Sequence, residues 1–103
     1  MHEFILAWLN INTIEIALIR ENDMVNSWDL RSAMTELDRI ANIVATTKWP
    51  PEVAGQVMTV VRSLEEATHT VRNKDSTRVK AAHRRLLASV HTLRDAIRRY
   101  LSP

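Results

Sequence analysis

Residues 4–19, Phe-Ile-Leu-Ala-Trp-Leu-Asn-Ile-Asn-Thr-Ile-Glu-Ile-Ala-Leu-Ile, hold a single charge and are apolar on almost every side. Wound as a helix at about 100° per residue, they place Phe4, Trp8, Ile11, Leu18 and Ile19 on one side, while Leu6, Leu9, Ile16 and Ala17 point elsewhere. A surface helix normally shows one apolar stripe, and a helix that is apolar all round is covered all round. A 103-residue chain has too little mass to surround a terminal helix, so part of this one is expected to face a second copy. The isoleucines and the partial alternation of residues 10–16 also favour strand. A lone strand would find no partner elsewhere in the chain, which leaves helix as the consistent reading.

The rest of the chain is punctuated sparsely. One Gly and three Pro, two of them adjacent, predict a few long helices joined by short turns. Helix 1 is expected over 2–21. Asn26 or Ser27 can cap a second helix over 27–48, with Asp29 in its first turn; its stripe is Leu30, Ala33, Met34, Leu37, Ile40, Ala41 and Val44. Trp49-Pro50-Pro51 interrupts the helix, because the residue before proline is pushed out of the helical region. Pro51 suits the first turn of a third helix over 51–73, which would bury Val53, Val57, Val60, Val61, Leu64, Ala67 and Val71. Asn73-Lys74-Asp75-Ser76 makes a tight turn, and Asp75 or Ser76 can cap a fourth helix over 76–101. That helix would bury Val79, Ala82, Leu86, Val90, Leu93, Ile97 and Leu101. The expectation is one all-α domain, an up-down-up-down antiparallel four-helix bundle. Met34 and Met58 read as core filler, Trp8 as an anchor, Trp28 as lying opposite the helix 2 stripe, and Trp49 as a seal at one end of the bundle.

Several function classes receive no support. The chain has no Cys, no Gly-rich phosphate loop and no Ser-centred elbow, so no enzyme and no cofactor are expected. Asn10, Asn12 and Glu15 interrupt the first apolar run, leaving it short of the roughly 20 apolar residues of a membrane span. No basic residue precedes that run and no small-residue cleavage site follows it, so it is a poor signal peptide. As it stands the sequence reads as cytoplasmic; an exported location would require a leader already removed.

Three sets of residues are candidates for function. For self-association as a homodimer, Leu6, Leu9, Asn10, Thr13 and Ile16 lie roughly opposite the Phe4–Trp8–Ile11–Ile19 side assigned to the core. An Asn in such a seam can fix its register. For metal, Glu65 and His69 are spaced one helical turn apart, and a hairpin of helices 3 and 4 would bring His83 near them. Two imidazoles and a carboxylate suit zinc or copper; His2 stands at the other end of the bundle and His91 further along helix 4. For polyanions, helix 4 carries Arg84, Arg85, Arg94, Arg98 and Arg99 beside Arg78 and Lys80, opposed within the helix only by Asp95. The competing view is a solvated face whose charges pair with Glu36, Asp38, Glu65 or Glu66. Neither a turn-positioned recognition helix nor a basic region leading into a heptad dimer accompanies it, so nucleic acid is not the expected partner. A protein partner is.

The run Ala81-Ala82-His83, followed by Val90-His91-Thr92-Leu93-Arg94-Asp95-Ala96-Ile97-Arg98, resembles the last helix of the cytochrome c-prime family. The resemblance implies a four-helix bundle that dimerises through its early helices and is exported. Where the family carries its two haem-attaching cysteines this chain has Val90 and Leu93, and where it carries the ligating histidine this chain has Arg94. Ile97 and Arg98 stand at the trailing aromatic and basic positions, and only Arg98 matches. A haem-less relative is what the resemblance implies, with no haem-site residue to carry over.

Overall fold

The computed structural model describes residues 2–24 and 30–102, with side chains at 4–20, 33–75 and 77–102. Four α-helices account for nearly all of it: α1 (His2–Met24), α2 (Leu30–Thr46), α3 (Ala54–Arg72) and α4 (Ser76–Leu101). A 3-10 turn, Pro51–Val53, leads into α3. The expected cap at Asn26 or Ser27, the expected first-turn Asp29, the expected position of Trp28, and the side chains of His2 and Leu30 lie outside the described residues. Among the described residues no helix is long and apolar enough to cross a membrane. The body measures 43 × 21 × 19 Å, and α4 at 26 residues spans about 39 Å, so it runs nearly the whole length.

α4 packs against both α1 and α3, and α2 packs on α3. Each helix contributes its predicted stripe to one core: Ala33, Leu37, Ile40 and Val44 from α2, Val60, Leu64, Ala67 and Val71 from α3, and Val79, Ala82, Leu86, Val90, Leu93 and Ile97 from α4. Val53 of the 3-10 turn joins them fully buried. Two residues of α2 and α3 expected in the core are not in it. Met58 is half exposed because it lies on the outer side of α3, away from that helix's apolar stripe, and Ala41 is exposed at the edge of the α2 stripe, where the neighbouring helix no longer covers it.

The turns are chemically specific. Trp49 donates its indole N–H to the Val44 carbonyl at 2.8 Å and lays its ring against the core, closing that end where Pro50 stops α2 from continuing. Beyond α3, the Asp75 amide donates to the Thr70 carbonyl and the Lys74 amide to the Val71 carbonyl. With Lys74 at φ 53°, this is a Schellman closure built on a lysine instead of the usual glycine. Asp75 then turns from end to start: its carboxylate accepts from the Arg78 amide at 3.3 Å and caps α4. The Thr77 hydroxyl and that amide together hold the Asp75 carboxyl below its usual range.

Candidate functional site

Which side of α1 faces inward is decided by its neighbours. Ala7, Ile11, Ile14 and Leu18 are sealed in the core, and Phe4 and Trp8 pack at its edge. Phe4 stacks on Tyr100 of α4, ring centres 5.0 Å apart. Ile19, expected in the core, faces solvent instead, since the inward arc is centred on Ile14 and Leu18 and leaves residue 19 beyond it. Ile5, Leu6, Leu9, Ile16 and Ile19 are each between 43% and 55% exposed. Thr13 and Arg20 are exposed on the same face.

The three polar residues of this helix have different fates. Asn10 turns inward from the expected association face: its amide donates to the Thr47 hydroxyl at 2.9 Å and ties α1 to the end of α2. Glu15 is buried against α4, where Arg94 donates to Oε1 at 2.8 Å. His91 Nδ1 lies 2.6 Å from the other carboxylate oxygen, a close approach without hydrogen-bond alignment. Burial works against the Arg94 charge, but its bonds to Asp95 and Glu15 outweigh that and raise its pKa. Asn12, half-buried in the middle of the exposed apolar stripe, has no side-chain hydrogen bond among the described residues. Spacing alone shows that Asn10 and Asn12 face different ways, but not which of them meets a partner.

The metal candidates are not brought together. Glu65 and His69 line a groove of about 550 Å³ between α2 and α3, walled by Ala41, Val44, Ala45, Val57, Val61, Leu64 and Thr68 and ending at Arg72. His83 is buried in the interior, and burial pushes its pKa below the ordinary value. The two sets lie on different sides of α3, the first turned to α2 and the second belonging to α4. Among the described residues no group of three His, Cys, Asp or Glu side chains could hold a metal ion. His69 is engaged with Asn73, 2.9 Å away.

The basic face of α4 is divided. Arg85 pairs with Glu66 of α3, and Arg94 with Glu15 and Asp95, so these two cations serve packing. Arg84, Arg98 and Arg99 are exposed and form no ion pair among the described residues. Arg98 and Arg99 flank a shallow recess with Asp95 and Ser102.

No protein-family model, curated protein or solved structure matches this chain. At the positions of the cytochrome c-prime resemblance, Val90 and Leu93 are fully buried in the core, and Arg94 is bound to Glu15.

Proposed function

We propose that this chain is a non-enzymatic helical-bundle binding and regulatory module that associates with a second copy of itself through the outer face of α1. One observation carries the reading: five large aliphatic side chains stand about half exposed on the helix whose opposite face is sealed in the core. Together they leave roughly 400 Å² of apolar surface, in the range where a patch on a monomer usually has a function. In this reading the four helices run up-down-up-down. The Phe4–Tyr100 and Glu15–His91 pairings support that for α1 and α4, since residue numbers rise along one helix as they fall along the other.

Light scattering on a sizing column tests the proposal. The expected mass is twice the 11.8 kDa of the chain, falling towards the monomer on dilution. Leu9→Glu places a carboxylate in the patch and should give monomers with unchanged far-ultraviolet circular dichroism. A wild-type monomer at all concentrations, or a dimer indifferent to Leu9→Glu, overturns it.

A further inference from the structure

Within the exposed face of α1, Ile5, Leu9, Asn12, Ile16 and Ile19 follow one another at steps of four, three, four and three. That is a repeat of 3.5 residues, the period that keeps one strip of a helix facing a partner helix along its length. A second strip with the same spacing, Leu6, Leu9, Thr13, Ile16 and Arg20, holds only three aliphatics and would put a cation inside the contact. The first strip is therefore the better seam. On one side it is flanked by Glu15, which is bound to α4, and on the other by exposed Arg20 and Thr13.

Asn12 decides the direction of the partner helix. In a dry seam its amide needs a hydrogen-bond partner, and none of the described residues supplies one. When two identical helices lie parallel, each layer pairs a residue with its own copy, so Asn12 meets Asn12 and each amide can donate to the other. Antiparallel layers pair the two classes of seam position instead, which sets Asn12 against Leu9 or Ile16 and leaves it unsatisfied. With its edges the seam would cover about 1,000 Å² over both copies, the lower bound for a specific interface.

We propose that α1 forms a parallel two-stranded seam with a second copy of this chain, layered Ile5, Leu9, Asn12, Ile16, Ile19, with Asn12 paired to Asn12 across it. The inference rests on the self-association proposed above.

The chain contains no cysteine, so single introduced thiols report distance cleanly. Ile5→Cys and Ile19→Cys, each oxidised alone, should form disulfide-linked dimers several-fold above an Ala88→Cys control on the exposed side of α4. In either antiparallel register, residue 5 lies at least about 16 Å from its copy, beyond the roughly 7 Å that a disulfide spans. There neither variant links to itself, and Leu9→Cys mixed with Ile19→Cys, or Ile5→Cys mixed with Ile16→Cys, links instead. Asn12→Leu should strengthen association at least tenfold and weaken the preference for self-linked pairs. A wild-type monomer defeats the self-association reading itself. A dimer with the antiparallel pattern, with linking at control level, or with affinity unchanged in Asn12→Leu overturns only this seam, as does a trimeric or tetrameric mass.

Discussion

Arg94→Met leaves the Glu15 carboxylate in the packed contact between α1 and α4 without its strongest partner. The carboxylate side chain is 10% exposed, and Arg94 donates to it at 2.8 Å. Removing one member of a buried ion pair commonly costs about 3–5 kcal/mol, because the remaining charge is left without compensation. Here the loss is reduced, since the pair is not fully sealed and the Arg94 side chain is 28% exposed. About 2–3 kcal/mol is therefore expected. In a domain of this size that lowers Tm by about 10–20 °C. The assay is thermal and urea unfolding followed by circular dichroism at one fixed protein concentration, because association itself shifts apparent stability. The double variant Glu15→Leu with Arg94→Met removes both charges and keeps the volume, and should lie within about 1 kcal/mol of wild type. A single variant losing less than about 0.5 kcal/mol would refute the reasoning, since an uncompensated buried carboxylate must register. So would a double variant as unstable as the single one.

Two further outcomes follow from local geometry and burial. Lys74 holds a positive φ of 53°, so Lys74→Gly should raise stability by about 1 kcal/mol in urea unfolding; a loss of that size would show that the lysine side chain matters more than its backbone strain. Burial depresses the His83 pKa below its ordinary 6.5, so on acidification the unfolded chain takes up this proton first. Its share of stability is complete above the unfolded value and is lost as pH falls below about 6.5. His83→Leu should flatten the decline between pH 7 and 5, and identical slopes for the two proteins would contradict it.

Much of this architecture was legible from local pattern. The stripes of α2, α3 and α4 predicted their core residues because a helix covered on one side repeats its apolar positions at 3 and 4, and those helices have polar residues elsewhere. The double proline, the Trp49 seal and the Asp75 cap were equally readable, since each acts through neighbours a few residues away. The Schellman closure was not, because it relies on a lysine where the recognisable signal is glycine.

Where a helix lacks that asymmetry, or where chemistry depends on distant residues, only the tertiary structure decides. α1 is apolar all round, so its sequence determined that some face would be left uncovered but could not say which. Packing against α4 assigned Ile19 to solvent, and Thr47 drew Asn10 inward. Glu15 could be recognised as polar and misplaced, but the Arg94 that neutralises it lies 79 residues away. The spacing of Glu65 and His69 was right for a shared helix face, yet that face turns to α2 while His83 belongs to the interior of α4. A helical repeat determines which residues share a side; the rotation of each helix about its axis is set by the burial of all its neighbours together.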